Sequence, residues 1–154
     1  MKNSLSEILK IVSEGKTSTD RAKLLKKYES DALKFVLVLA MDQHHFTWGL
    51  PKGWVPKYTP CQYFGQEGML YSELKRFGKF LLPGTYPNMP QEKRMKLFVQ
   101  LLESVTPDDA ILLLAIKDRR LPYQGIYRSI INTAFPDLLP PARLKEGETE
   151  EEHG

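Results

Sequence analysis

Apolar residues recur every three or four positions over the first third of the chain, which is the spacing of the buried face of an α-helix. In the first stretch the apolar positions are Leu5, Ile8, Leu9 and Val12. Gly15 follows, and glycine is a common residue just after the last turn of a helix. The pattern therefore predicts a short amphipathic helix that stops at Gly15.

A second helix is predicted to begin at Thr17 or Ser18, since both residue types cap helix N-termini. Its inward-facing residues are predicted to be Ala22, Leu24, Leu25 and Tyr28. Its cations are predicted to lie mostly on the outer face, at Arg21, Lys23, Lys26 and Lys27. Such a row can follow the phosphates of a nucleic acid, although a solvated helix face is the default interpretation.

Three further helices are predicted over residues 30–45, 68–82 and 90–105. The first of them contains the segment LKFVLVLAMD, which is apolar nearly all round and is typical of a helix buried in the middle of a domain. The helix over residues 68–82 carries Lys75 and Arg76.

Two more helices, joined by a basic turn, are predicted between residues 106 and 134. Thr106 can cap the first of them, and Pro107 suits the first helical position. Its far end carries three cations, which complement the negative end of the helix dipole: Lys117, Arg119 and Arg120. The last helix is predicted over residues 123–134 and contains Arg128.

These seven helical segments predict an all-α fold, a compact bundle without a sheet. A chain of 154 residues suits one domain, predicted over residues 1–141. Residues 142–154 hold two cations and five carboxylates, and they are predicted to form an acidic disordered tail. The formal charge of +3 thus divides into −3 for the tail and +6 for the body. A basic body is compatible with a polyanionic partner and equally with an ordinary protein surface.

Residues 46–60 predict an ordered loop, because two Trp, three Pro and two Gly preclude a regular helix. Its aromatic residues are Trp48, Trp54 and Tyr58, and they alternate with Lys52 and Lys57. This pattern suits stacking on exposed bases beside neutralised phosphates. The other interpretation, which is the commoner one for aromatics in such loops, is that the rings anchor the loop to the core.

The sequence contains few features that indicate a catalytic site, a metal site or a disulfide. Cys61 has no partner for a disulfide, and the N-terminus lacks the long apolar run of a signal or a membrane span. We therefore predict a cytoplasmic protein without a membrane partner. His44 and His45 are adjacent and point apart on a helix, and no zinc spacing, glycine-rich phosphate loop or nucleophile motif is present. We expect no catalytic residue, no metal and no cofactor.

Two segments resemble the N-terminal all-helical DNA-binding domain of phage-type ATP-dependent DNA ligases. The first is VLVLAMDQHHFTWGLPK from Val36, with its apolar helix, Ala-x-Asp motif and aromatic exit. The second combines Asp118 and Arg119, Gly125 and the exit FPDLLP from Phe135. The resemblance covers about residues 5–50 and 97–140. No Lys-x-Asp-Gly adenylation motif is present, and LPYQ from Leu121 replaces a smaller, glycine-richer turn.

The resemblance implies a stand-alone phage protein that binds duplex DNA, intact or nicked, in the infected host cell without reading bases. Phosphate contacts would come mainly from four residues, which are Lys117, Arg119, Arg120 and Arg128. A second group would be Lys52, Lys57, Lys75 and Arg76. The alternative is an adaptor on a ligase-like scaffold that binds a phage or host protein during replication or host takeover, with the tryptophan-rich loop of residues 46–60 as its interface.

Overall fold

The computed structural model describes residues 3–42, 46–82 and 84–139. Within these residues the fold is mostly α-helical, as predicted. The helices are α1 (Leu5–Ser13), α2 (Ser18–Lys27), α3 (Asp31–Met41), α4 (Met69–Glu73), α5 (Gln91–Ser104), α6 (Pro107–Lys117) and α7 (Arg128–Ala134). A 3-10 helix (Leu74–Phe80) continues from α4, and two short strands complete the set, β1 (Thr47–Trp48) and β2 (Leu81–Leu82).

Four helices begin at hydroxyl caps. The side-chain oxygens of Ser4, Thr17, Ser30 and Thr106 each accept a backbone N–H from three residues further on, at 3.0 to 3.2 Å. Glu7 completes a capping box with Ser4 in α1. Each cap satisfies one amide that the helix leaves without a partner, and its loss costs about 1 kcal/mol. The predicted starts of α2, α3 and α6 are therefore confirmed.

The core forms where α3 and α6 cross and where α1 and α5 pack against α6. Leu33, Val36 and Leu37 of α3 are fully buried, as the apolar pattern of that segment predicts. A second part of the core is aromatic. The rings of Phe77, Phe80 and Phe98 pack edge to face, with the Phe80 and Phe98 centroids 5.5 Å apart.

The prediction that the fold has no sheet is wrong. Thr47 pairs with Leu82 and Trp48 with Leu81 in a small antiparallel ladder. The helix predicted over residues 68–82 is correspondingly shorter, because α4 passes into the 3-10 helix and Arg76 leaves helical geometry at φ −112° and ψ 16°. The strands lie more than thirty residues apart in the chain, so local periodicity does not predict their pairing.

The start predicted for the last helix lies too early in the chain. It begins at Arg128 and not at residue 123, because Gly125 takes a positive φ of 87° and directs the chain into a turn. The third helix ends at Met41, with Asp42 already extended. His44, His45 and the predicted acidic tail lie outside the described residues. Within those residues, no helix is both long and apolar enough to cross a membrane.

Candidate nucleic-acid interface

Lys117 ends α6 with its side chain buried. Only 3% of that side chain is exposed, and its Nζ lies 2.9 Å from Oδ1 of Asp118. The neighbouring carboxylate therefore neutralises this ammonium inside the protein. Lys117 is therefore placed less favourably for a phosphate contact than the sequence predicts, and that contact stays a prediction.

Arg119 also turns inward. Its backbone has a positive φ of 63°, and its guanidinium carbon lies 4.5 Å from the centre of the Phe46 ring. One terminal nitrogen donates to the Phe46 carbonyl at 2.8 Å, and the other donates to the carbonyl of Asp42. Burial lowers the pKa of Arg119, and the Asp42 charge opposes this effect. Arg119 thus joins the end of α3 to the turn after α6. Because its guanidinium already binds two carbonyls, it is less available to DNA, and its predicted DNA contact stays a prediction.

Of the other six predicted contacts, five are exposed and one is half-buried. Arg120 is exposed just beyond α6, and Arg128 is half-buried at the first position of α7. The other four are exposed and lie in the loop after β1 or on the 3-10 helix: Lys52, Lys57, Lys75 and Arg76. The 3-10 helix packs against α4, α5 and β2, so Lys75 and Arg76 belong to a different region from Arg120 and Arg128.

Arg21 reaches the turn before α7. Its Nε donates to the Gly15 carbonyl at 3.0 Å. A Cβ atom placed on Gly125 would lie 3.0 Å from the guanidinium carbon of Arg21, so the two residues are in contact. This contact follows from the packing of α2 against α7, the most extensive helix pair in the described structure. Sequence reasoning placed Arg21 on an outer face and missed its proximity to the turn, which no local signal announces.

The outer face of α2 supplies more cations beside this contact. Lys23, Lys26 and Lys27 are exposed. Lys26 is partly compensated, because Glu29 lies 3.0 Å from it and 2.7 Å from Lys34. Hydrogen bonds from these two lysines lower the pKa of Glu29, and the bond from Lys34 has the larger effect. Lys23 therefore offers a more available charge than Lys26.

The two tryptophans of the loop after α3 anchor it to the core. The Trp48 ring meets Phe77 edge to face at 5.6 Å, and the Trp54 ring lies 6.2 Å from Phe98. Both rings are half-buried, so the anchoring interpretation is the one that the structure supports. The exposed aromatic side chains of this region lie further along, at Tyr63 and Phe64.

A cavity of about 550 Å³ lies between the start of α3 and α4. Phe35, Tyr71 and Leu74 form much of its wall. Asp31 and Lys75 also line it, so the cavity is bordered by one acidic and one basic residue. In the part of the chain that the structure describes, no group of three or more His, Cys, Asp or Glu side chains is placed to hold a metal ion.

Comparison with known proteins identifies a family. No curated protein and no solved structure matches the chain. The profile of a family of unknown function, DUF6433, matches residues 8–123. The matched segment contains α2 to α6 and the basic residues at the end of α6, and it stops before α7. The chain therefore belongs to the DUF6433 family, whose function is unknown.

Proposed function

We propose that this protein binds duplex DNA without reading its base sequence. The contact would be made by a basic surface on α2 and the turn between α6 and α7, which we name the α2–α7 surface. It comprises Arg21, Lys23, Arg120 and Arg128. The observation that carries the proposal is the contact between the Arg21 guanidinium and Gly125, because it places one cation of α2 against the turn that begins near Arg120 and leads to Arg128.

The charge of this region supports a polyanionic ligand. Residues 16–29 contain five cations and two carboxylates, and the latter are Asp20 and Glu29. Lysine and arginine side chains that neutralise phosphates release counterions, and this release supplies most of the affinity of non-specific DNA binding. Contacts to phosphates carry no sequence information, so binding of this kind is indifferent to base order.

The predicted likeness to a ligase domain stays a prediction, and the proposal does not depend on it. The residues of the proposed surface also differ from those that the sequence predicted. Arg21 and Lys23 take the place of Lys117 and Arg119, whose side chains turn inward. Lys52, Lys57, Lys75 and Arg76 remain a second, separate group of exposed cations. They would contribute only where the ligand extends beyond the α2–α7 surface.

Fluorescence anisotropy with a labelled duplex over a salt series tests the proposal. Four phosphate contacts correspond to a slope of about −4 in log affinity against log salt, from the rule of about −0.9 per phosphate. The double variant Lys23→Gln with Arg120→Gln should weaken binding equally for different sequences and bring the slope to about −2. Lys93→Gln, which removes an exposed cation from α5, is the matched control and should leave the slope unchanged. A slope that the double variant does not alter would contradict the proposal.

A protein-binding adaptor is the second candidate. It is favoured by one observation, that Lys117 and Arg119 use their charges inside the protein, so that the predicted basic strip along the turn is interrupted. In that case the partner would be a phage or host protein. Failure of the protein to bind duplex, nicked and single-stranded DNA at an ionic strength of about 0.15 M would leave the adaptor as the better explanation.

A further inference from the structure

Tyr63 and Phe64 are consecutive aromatic residues that the protein leaves in solvent. Phe64 is 99% exposed and Tyr63 is 80% exposed. Val55, in the same loop, is exposed too. Burial of a side chain of this size is strongly favourable, so an exposed pair of rings is typical of a contact surface and not of an average position. We name residues 51–67, which carry the pair, the aromatic loop.

The aromatic loop is anchored although its rings are exposed. Trp54 packs against Phe98 of α5, and the backbone N–H of Thr59 donates to Glu103 Oε2 at 2.8 Å. The chain turns at Gly65, whose φ of 80° is accessible to glycine at little cost, and α4 begins soon afterwards. The two rings therefore project from a backbone that is held to α5 before them and continues into α4 after them.

The aromatic loop carries an excess of positive charge. Lys52 and Lys57 are both exposed, and the one carboxylate of the loop is the half-buried Glu67 at its end. Exposed aromatic faces combined with an excess of cations are a feature with which proteins bind single-stranded nucleic acid, because bases stack on the rings and cations balance the phosphates. A docking surface for a neutral or basic protein would gain nothing from these lysines.

We propose that Tyr63 and Phe64 stack on unpaired bases of a DNA strand while Lys52 and Lys57 neutralise its phosphates. Bases inside an intact duplex already stack on each other, so this site would act on gaps, frayed ends or single strands. The inference rests on the proposed function in taking DNA as the ligand. It uses a different surface, however, and each can be tested without the other.

The test is the affinity for a labelled oligo-dT of about 16 nucleotides, the upper end of the length range that one small binding module covers. Phe64→Ala should weaken binding by about 5- to 150-fold, the range measured for loss of one base–aromatic stack. Phe64→Trp keeps an aromatic face and should retain the affinity. Phe64→Leu keeps an apolar side chain but has no aromatic face, and it should lose most of the affinity for oligo-dT. Because the Phe64 side chain is exposed, all three variants should melt at the temperature of the unchanged protein.

The outcomes separate this inference from the proposed function. Binding to duplex with the expected salt slope, but unchanged oligo-dT affinity for Phe64→Ala, would overturn the inference and leave the α2–α7 surface intact. It would also point to a protein partner for the aromatic loop. Equal losses for Phe64→Leu and Phe64→Trp would overturn stacking as well. Oligo-dT binding that depends on Phe64, together with no duplex binding, would support the inference and contradict the proposed function.

Discussion

Arg119 and Phe46 form a packed pair across the fold. The guanidinium lies over the ring at 4.5 Å, and one of its nitrogens donates to the carbonyl of the same residue at 2.8 Å. Because a second nitrogen donates to the Asp42 carbonyl, Arg119 connects the end of α3 to the residue that precedes β1. Arg119 lies in a basic turn of the kind that can bind phosphate. Its contacts with Phe46 and Asp42 give it a structural role instead.

Arg119→Ala is therefore expected to lower stability and not DNA affinity. The loss of two charge-assisted hydrogen bonds and of the ring contact should reduce the free energy of unfolding by about 2 to 4 kcal/mol, measured by urea denaturation. Arg119→Lys should recover little, because an ammonium cannot reach two carbonyls with the fixed fork of a guanidinium. Arg120→Ala is the neighbouring control and should change stability by less than about 0.5 kcal/mol. Equal effects at both positions would contradict the packing role.

Lys117→Met tests whether the buried ammonium takes part in DNA binding. Methionine has nearly the same length and suits a buried position, while Asp118 keeps access to water because 44% of its side chain is exposed. We expect the salt slope of duplex binding to stay unchanged and the free energy of unfolding to change by about 1 kcal/mol or less. A slope smaller by about 1 would return Lys117 to the interface.

Gly125→Ala should disturb the contact that forms the α2–α7 surface. At φ 87° a residue with a Cβ is strained by about 1 to 2 kcal/mol, and the new methyl group would also press on the Arg21 guanidinium. Gly53→Ala is a matched control, since its φ is 78° and nothing lies within 4 Å of its added Cβ. Both variants should lose stability in urea titrations, but only Gly125→Ala should also weaken duplex binding. Equal binding by the two variants would argue against a role for Arg21 in that surface.

Asp109 gives the protein a pH-dependent stability that can be measured. Its side chain is fully buried in the first turn of α6, where Oδ1 accepts the Ser6 backbone N–H at 3.0 Å. Oδ2 has no hydrogen-bond partner among the described residues. Burial raises the pKa of Asp109, with a smaller upward effect from the Glu7 charge, while hydrogen bonds from Ser6 and Thr106 act in the opposite direction.

Because the folded state raises this pKa, it holds the proton more firmly than the unfolded chain does. The contribution of Asp109 to stability is therefore greatest below the ordinary carboxyl pKa of 3.8 and is lost as pH rises through the raised folded value. Asp109→Asn keeps an acceptor for Ser6 without a charge to bury. We expect the variant to be more stable than the unchanged protein at pH 7, with the difference diminishing as pH falls. A difference that does not change with pH in urea titrations would show that Asp109 does not titrate in this way.

The sequence predicted those parts of the fold that depend on contacts between residues close together in the chain. Ser4, Thr17, Ser30 and Thr106 cap amides only three residues away, so the residues themselves announce where these helices begin. The pairing of β1 with β2 joins distant segments of two residues each, which is too short for a strand pattern. Composition and spacing therefore predicted the helices and missed the sheet.

The same distinction applies to the candidate site. The sequence by itself determined which cations are present, where the helices that carry them begin, and that a loop rich in tryptophan and proline follows α3. Only the tertiary structure decided where the charges point: Lys117 and Arg119 inward, and Arg21 against Gly125. Periodicity records which residues share a helix face, whereas the direction of a long cationic side chain depends on the carboxylates, carbonyls and rings that packing brings within its reach.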